Sequence, residues 1–261
     1  MKKLVSLLIL LLPFNVAASL FEKRSVLLYN QSKGEWVIRN NDDQLRSIAS
    51  LTKIMTAMVA LDYDNNLERK LKLSKRVGGQ LPPNSYTREE LFHAMLIRSD
   101  NAAAETLADD YPGGRTEFIK AMNAKAVQLK MDKTVFADPT GLLGANVSVL
   151  DNVRLMLEAS AIYPLIRDTS IKKQAIFESM HNKKIRKVIL HNTNNRVLFE
   201  FDNIVVSKTG YTTKAGFCLG LVVEQNQQRY IAVILGARDI RERFNIVNEL
   251  MFNHINESSL K

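Results

Sequence analysis

The stretch RSIASLTKIMTAM, residues 46–58, places a serine and a lysine three positions apart inside an apolar run. If the run is helical, Ser50 and Lys53 share one face near its N-terminus. A serine hydroxyl becomes a good nucleophile when a neighbouring base takes its proton. A lysine can be that base when burial or a nearby cation lowers its pKa. The stretch therefore predicts a nucleophile beside its base at the start of a core helix.

The spacing alone does not establish this chemistry. It recurs at Ser170/Lys173 and at Ser258/Lys261. A polar helix start ahead of a buried helix would give the same pattern. Whether Ser50 and Lys53 form a catalytic pair or only a polar helix start therefore depends on the motifs found elsewhere in the chain.

The N-terminal 18 residues are typical of a secretory signal peptide. Lys2 and Lys3 precede a short apolar core, and Val16-Ala17-Ala18 offers small residues before a cut at Ser19. An uncleaved anchor is the alternative. The mature chain would be 19–261 in the periplasm, and the loss of two lysines would change the net charge from +9 to +7.

The composition, with 46% hydrophobic and 24% charged residues, fits one large domain or two close lobes. The positive charge favours an anionic partner, and export favours a cell-wall polymer over nucleic acid, although solubility alone would also explain it. The single Cys218 excludes an internal disulfide, and its apolar context indicates a buried small side chain. With scattered histidines and no H-E-x-x-H motif, we expect no metal or other cofactor.

Hydrophobic periodicity predicts a helical middle section. Residues 25–39 form a predicted hairpin, and the helix carrying Ser50 runs to about Leu61. Thr87 and Glu90 form a capping box for a helix that stops near 99–101. Further helices are predicted over 102–108, from a cap at Thr116, and from a cap at Asp151 to about 162. Residues 163–195 fit no element clearly.

The C-terminal third is rich in strands. Apolar strands are predicted over 204–206, 217–223 and 230–235, followed by a helix over 238–255. Strands at both ends of the chain predict an α/β (α+β) fold, with one five-stranded antiparallel sheet flanked by helices. The sheet lobe would comprise about 19–60 and 200–261, and an inserted helical lobe about 61–199. Ligand sites favour such lobe boundaries.

Three signatures occur in one order: Ser50-x-x-Lys53, Ser99-Asp100-Asn101 and Lys208-Thr209-Gly210. The first is predicted to start a helix, the second to end one, and the third to end a strand. This set resembles the serine penicillin-binding proteins of the D-alanyl-D-alanine carboxypeptidase/endopeptidase family. The resemblance implies a serine β-lactamase-like, transpeptidase-like fold. Further similar segments are 47–57, 111–114, 121–125 and 138–142, the last three being closest to the endopeptidase branch of the penicillin-binding protein 7 type.

The resemblance implies a role for each matching catalytic residue. Ser50 would attack the carbonyl of a D-Ala residue and form an acyl-enzyme, with Lys53 as general base. Ser99 would relay a proton to the leaving amine. Lys208 would add positive charge and help to keep Lys53 neutral. Asp100 is expected to be structural.

The same resemblance implies which groups bind the substrate. Asn101 would hydrogen-bond the substrate backbone, and Thr209, next to Gly210, would bind the carboxylate beside the scissile bond. The oxyanion hole would be the backbone N–H groups of Ser50 and Tyr211. Either Arg243 or Arg238 would assist carboxylate binding, or each would simply be part of a solvated helix start.

Two rival functions are a β-lactamase and a non-catalytic wall-binding protein. A class A β-lactamase hydrolyses its acyl-enzyme with a glutamate and a water, whereas residues 138–152 contain no glutamate. Rapid turnover of a chromogenic penicillin would distinguish that enzyme. The intact motifs argue against a non-catalytic protein.

The remaining choice is between an endopeptidase that cuts D-Ala–meso-diaminopimelate cross-links and a carboxypeptidase that trims pentapeptides. Many carboxypeptidases of the family add a C-terminal β-domain and a membrane anchor, whereas only residues 256–261 follow the last predicted helix. We therefore expect an endopeptidase without a stable membrane anchor. Its partners would be peptidoglycan stem peptides, with β-lactam antibiotics as covalent inhibitors and no nucleic acid; the oligomeric state is left open.

Overall fold

A computed structural model describes residues 21–181 and 184–256 of the chain. The strands are β1 (Ser25–Asn30), β2 (Glu35–Asn40), β3 (Arg46–Ser47), β4 (Lys70–Lys72), β5 (Ser85–Thr87), β6 (Val147–Ser148), β7 (Gln174–His181), β8 (Lys184–His191), β9 (Ile204–Thr212), β10 (Gly216–Gln225) and β11 (Gln228–Ala237). The α-helices are α1 (Thr52–Tyr63), α2 (Arg88–Ile97), α3 (Asn101–Asp109), α4 (Gly114–Gln128), α5 (Leu150–Ser160), α6 (Pro164–Ser170), α7 (Asn195–Glu200) and α8 (Ile240–Leu250). The predicted leader at 1–18 and the Ser258/Lys261 pair lie outside the described residues.

The main sheet has five antiparallel strands in the order β2-β1-β11-β10-β9. The first hairpin joins the C-terminal strands through β1 and β11, with Ser25 opposite Leu235 and Asn30 opposite Tyr230. This confirms the predicted sheet built from both ends of the chain. One detail differs, because the Lys208-Thr209-Gly210 motif lies inside β9 rather than at its end: pairing with β10 continues to Thr212.

Both faces of this sheet are covered. Along β11, Ile231, Val233 and Leu235 pack into a core shared with the helices, while Ala232 and Ile234 belong to a second core under α8. Side chains alternate between the faces of a strand, so a strand covered on both sides is apolar throughout. The continuous apolar runs of the C-terminal third therefore reflect a sheet sandwiched between helices.

Helix α1 runs through the middle of the helical core. Every residue from Thr52 to Ala60 is buried. A helix that is apolar almost all round is stable only when neighbours surround it, as α3, α4 and α5 do here. Because α1 follows directly on Ser50, the buried helix fixes the position of that serine.

Two predicted helix caps are wrong. Helix α4 begins at Gly114, after Gly113 adopts a left-handed φ of 78°, so Thr116 lies within the first turn. Helix α5 begins at Leu150, and Asp151 instead accepts a hydrogen bond from the Arg154 guanidinium at 2.6 Å. In both cases the helix begins before the residue that was predicted to cap it.

Residues 163–195, which the sequence left unassigned, contain α6, the β7–β8 hairpin and the start of α7. Isoleucines 176, 185 and 189 are exposed on the hairpin, with charged residues between them. That mixture weakens the hydrophobic periodicity from which strands are predicted.

At the C-terminus, Asp239 caps α8, and a π-helical turn, Met251–Asn256, follows where one helix over 238–255 was predicted. Cys218 is fully buried, as expected. Within the described ranges, none of the helices is sufficiently long and apolar to cross a bilayer.

The capping box of α2 provides a test of local stability. The Thr87 hydroxyl accepts from the Glu90 N–H at 3.1 Å, and the Glu90 carboxylate accepts from the Thr87 N–H at 2.8 Å. We expect Thr87→Ala to lower the free energy of unfolding by about 1 kcal/mol in urea denaturation. Thr116→Ala is the matched control and should leave it nearly unchanged, because Thr116 is exposed and caps nothing. Equal losses in the two variants would contradict the assignment.

Candidate active site

Ser50 lies in a short 3₁₀ turn, Ala49–Leu51, immediately before α1. Ala49 has a positive φ of 45°. A left-handed conformation costs an alanine about 1–2 kcal/mol, so the surrounding packing must hold it. Gly141 contributes to that packing: a Cβ there would lie 1.9 Å from the Ala49 carbonyl oxygen. The turn carrying Ser50 is thus held in a strained conformation by close backbone contact.

Lys53 is fully buried and donates three hydrogen bonds. Its Nζ lies 2.9 Å from Ser50 Oγ, 2.7 Å from Asn101 Oδ1 and 2.8 Å from the Thr140 carbonyl oxygen. Three short bonds account for every N–H donor of the ammonium form. The neutral amine keeps two N–H donors, and its lone pair can then accept the hydrogen bond from the Ser50 hydroxyl. The amine is therefore aimed at the serine hydroxyl by groups from two other segments.

Burial lowers the pKa of Lys53 to about 7, although the carboxylates of Asp138, Asp100 and Glu105 raise it. An ammonium group loses its hydration when buried, which disfavours the charged form. Near neutral pH a large fraction of Lys53 is therefore an uncharged amine that can accept a proton.

Ser99 and Lys208 form a second pair in the same cleft. Lys208 Nζ donates to Ser99 Oγ at 3.0 Å and to the Thr209 carbonyl at 2.9 Å. Ser99 has a left-handed φ of 62°, which marks a second strained residue at the site. The Ser99-Asp100-Asn101 segment links α2 to α3 and faces β9 across the cleft.

The pKa of Lys208 is well below its ordinary value because the side chain is buried and because Lys53 and Arg243 are nearby cations. Lys53 thus lowers the pKa of Lys208. For Lys53, however, burial is the largest cause of the shift.

Asp100 and Asn101 point in different directions. The Asp100 carboxylate caps α3 through the Ala103 N–H at 2.8 Å and also accepts from the Leu81 N–H at 3.1 Å. Asn101 presents its oxygen to Lys53, and within the described chain its Nδ2 makes no hydrogen bond. The amide nitrogen of Asn101 is therefore available to an incoming acceptor.

Thr193 is a site residue that the sequence analysis missed. Its Oγ1 lies 2.6 Å from Thr209 Oγ1, and its backbone N–H donates to the Ile97 carbonyl at 3.1 Å. The Asn192 side chain holds the preceding turn by accepting from the Asn194 N–H at 2.9 Å. The Asn192-Thr193-Asn194 run was the only signal in the sequence, and it reads as an ordinary turn.

β9 forms the wall opposite α1. A Cβ on Gly210 would lie 2.9 Å from the Ser50 backbone nitrogen, so the strand passes against the nucleophile's own amide. Tyr211, the next residue, stacks its exposed ring on Phe217 at a centroid distance of 4.3 Å. The predicted oxyanion residues are therefore neighbours in space.

The two candidate arginines differ clearly. Arg238 is 73% exposed and pairs with Asp239. Arg243 is buried on α8, and in residues 21–181 and 184–256 it has no acidic partner in an ion pair. Burial lowers its pKa to about 10. A buried guanidinium close enough to affect Lys208 fits an anion-binding role better than a solvated helix start does.

The Ser170/Lys173 pair does not form a comparable site. Ser170 is buried and its Oγ accepts from the Ser207 N–H at 3.2 Å. Lys173 Nζ lies over the Phe199 ring, 4.1 Å from its centroid. Ser170 and Lys173 therefore do not form a nucleophile–base pair, although their spacing matches that of Ser50 and Lys53.

Comparison with known proteins identifies the family. A family model described as D-alanyl-D-alanine carboxypeptidase, peptidase family S11, matches residues 14–239. The chain belongs to this family. This D-alanyl-D-alanine peptidase is 36% identical over 221 residues to the D-alanyl-D-alanine endopeptidase of Escherichia coli strain K12, covering 82% of this chain and 71% of that protein. It is 35% identical over 226 residues to the Pseudomonas aeruginosa endopeptidase, with the same coverage.

Solved structures agree with this assignment. The DD-transpeptidase of Streptomyces K15 superposes with a TM-score of 0.81 at 25% identity, covering 87% of this peptidase and 94% of that chain. Penicillin-binding protein D2 of Listeria monocytogenes, in an ampicillin-bound form, has a TM-score of 0.76 at 30% identity, with the same coverage. The fold is the predicted transpeptidase-like one, and the protein is a serine-type peptidase of the penicillin-binding class that acts on peptidoglycan.

Gly141 allows the strained turn to be tested. Gly141→Ala would place its Cβ against the Ala49 carbonyl, so we expect loss of folding stability and at least a tenfold loss of covalent labelling by a fluorescent penicillin. Gly114→Ala is the matched control: Gly114 has a similar φ of 72°, but its added Cβ would meet nothing within 4 Å. That variant should keep wild-type labelling. Full labelling of Gly141→Ala would show that the contact does not support the nucleophile.

Proposed function

We propose that this peptidase is an endopeptidase that hydrolyses D-Ala–meso-diaminopimelate cross-links through an acyl-enzyme on Ser50. The observation that carries the proposal is the 2.9 Å hydrogen bond from Lys53 Nζ to Ser50 Oγ, made by a buried lysine whose pKa is lowered to about 7. This lysine is matched in pKa to general-base work at neutral pH.

Acylation begins when Lys53, as the neutral amine, takes the Ser50 proton while Oγ attacks the D-Ala carbonyl carbon. The backbone N–H groups of Ser50 and Tyr211 bind the developing oxyanion. The peptide C–N bond then breaks, and the proton reaches the departing nitrogen through Ser99. Lys208, which donates to Ser99 at 3.0 Å, stabilises the negative charge that develops during this transfer.

Deacylation again uses Lys53 and Ser50. A water molecule attacks the ester carbonyl, Lys53 accepts its proton, and Ser50 Oγ regains a proton as the peptide leaves with a free carboxylate. Each cycle consumes one water and leaves Ser50 and Lys53 as they began. No cofactor is required for this balance.

Substrate binding draws on both sides of the cleft. Asn101 Nδ2 binds the backbone of the stem peptide. The hydroxyls of Thr209 and Thr193, 2.6 Å apart, bind the carboxylate next to the scissile amide. Lys208 and Arg243, which has no ion-pair partner among the described residues, supply positive charge behind them. A terminal D-Ala and a cross-linked diaminopimelate both carry a carboxylate at this place, so the subsite serves either substrate.

The preference for cross-links is supported by the relatives. Two proteins that are 36% and 35% identical are named endopeptidases, whereas a Bacillus subtilis carboxypeptidase is 29% identical. D-Alanyl-D-alanine carboxypeptidase activity on pentapeptides is the alternative. A β-lactamase is disfavoured because residues 138–152 lack a glutamate to speed deacylation.

The proposal extends to the protein's location and organisation. Residues 1–18 would be a cleaved signal peptide, and 19–261 the mature periplasmic domain. The cleft would lie between the sheet lobe (about 19–60 and 200–261) and the helical lobe (about 61–199). Peptidoglycan stem peptides would be its substrates, and β-lactams its covalent inhibitors. This location places the site beside the cross-linked wall.

A digest of purified muropeptides tests the proposed function. The wild-type protein should convert cross-linked dimers into monomers, detected by mass. Ser50→Ala should abolish both this conversion and covalent labelling by penicillin, because the acyl-enzyme cannot form. Arg238→Ala is the matched control and should keep both, since that side chain is exposed and pairs with Asp239.

Release of free D-Ala from pentapeptides, with dimers left intact, would replace the endopeptidase assignment by the carboxypeptidase one. Persistent labelling of Ser50→Ala would place the nucleophile elsewhere.

A further inference from the structure

We propose that Asp138 is a positioning residue for Lys53: its carboxylate folds residues 138–141 into the turn that aims the Thr140 carbonyl at the lysine amine. This inference deepens the proposed function and rests on it. It concerns a loop outside the three motifs and adds an acidic residue to the machinery that sets the base.

The Asp138 side chain closes the turn with one oxygen. Oδ1 accepts from the Thr140 N–H at 2.7 Å, the Thr140 hydroxyl at 2.6 Å and the Gly141 N–H at 2.7 Å. Asp138 is 1% exposed and Thr140 is equally buried. A buried carboxylate oxygen that accepts three hydrogen bonds leaves the following backbone little freedom. The Thr140 carbonyl is consequently fixed 2.8 Å from Lys53 Nζ.

The turn is also fastened to its surroundings. Thr56 on α1 donates to the Pro139 carbonyl at 2.7 Å. The Asn146 side chain donates to the Asp138 carbonyl at 2.8 Å and to the Thr52 hydroxyl at 2.9 Å. These contacts orient the turn relative to α1, the helix that carries the lysine. The geometry therefore links the loop directly to the base.

The second carboxylate oxygen of Asp138 allows the effect of its charge on Lys53 to be separated from its part in folding the turn. Asp138 Oδ2 is buried and has no hydrogen-bond partner in the part of the chain that the structure describes. Its negative charge raises the pKa of Lys53 against the effect of burial, as do Asp100 and Glu105 from α3 and its cap. From β9, Lys208 is close enough to Lys53 for the charge of Lys53 to lower the pKa of Lys208. Asp138 thus both holds the acceptor of the lysine and moderates how far its pKa falls.

Asp138 does not act as the base itself. It makes no hydrogen bond to Ser50 or Lys53, and its one engaged oxygen is occupied by Thr140 and Gly141. Its influence on the reaction passes through the Thr140 carbonyl and through its electric field. It is therefore a positioning residue, and pH dependence is the readout that separates it from a purely structural one.

Asp138→Asn provides the sharpest test. Asparagine can keep Oδ1 with its three hydrogen bonds, while its NH₂ group replaces Oδ2, so the charge is lost and the turn is kept. Removing a negative charge lowers the pKa of Lys53, and the neutral amine then persists at lower pH. In wild-type protein the rate constant for acylation by a fluorescent penicillin should fall as pH drops through about 7. In Asp138→Asn this midpoint should move to lower pH by about one unit.

Two further variants complete the design. Thr140→Val removes one donor to Asp138 but keeps the charge, so it should lower the plateau rate several-fold and leave the midpoint unchanged. Asp132→Asn removes an exposed carboxylate from the same part of the chain and should change neither quantity. The pH midpoint of the acylation rate does not depend on how much of the variant protein folds. If Asp138→Asn folds poorly, the plateau rate of Thr140→Val still tests the role of the turn.

The results separate this inference from the proposed function. A midpoint in Asp138→Asn that stays in place or rises, or a Thr140→Val plateau equal to wild type, overturns the role of Asp138. A wild-type protein that penicillin does not label at any pH, or whose labelling survives in Ser50→Ala, refutes the proposed function instead.

Discussion

The hydrogen bond between Lys53 Nζ and Ser50 Oγ depends on burying an amine that has no ion-pair partner within the described ranges. Lys53 has no exposed surface, and its acceptors are a hydroxyl, an amide oxygen and a backbone carbonyl. Burying a lysine in this way is unfavourable for the charged form, and a folded protein tolerates it when the group becomes neutral instead. The architecture around the cleft can be understood as what holds this neutral amine against the serine.

Each lobe contributes to that environment. Helix α1 is buried along most of its length and carries Lys53 into the core, while β9 brings a second buried lysine, Lys208, to the other side of the cleft. Both short turns at the site contain a residue in a left-handed conformation, Ala49 and Ser99. Strain of this kind persists only where surrounding packing over-determines the backbone, and the double-sided core of the sheet provides it.

Much of this could be predicted from the sequence. The order of the three motifs, the apolar strands and the capping box at Thr87 specify local chemistry that survives in the folded chain. Thr193 and the Thr140 carbonyl could not be found in the same way. Thr193 reaches the site only because the β7–β8 hairpin returns the chain to β9, and a backbone carbonyl carries no residue-type signal. The missed elements at 163–195 have one solvated face with mixed residues, so tertiary packing, not periodicity, determines them.

The protonation state of Lys53 is the most direct measure of this account. Side-chain NMR of ¹³C,¹⁵N-lysine-labelled protein can follow each amine through a pH titration, with Lys53→Arg assigning the signal. We expect a midpoint of about 7 for Lys53 in the free enzyme. A midpoint near 10.5, the ordinary lysine value, would show that Lys53 is charged at neutral pH and would contradict its role as the base for Ser50.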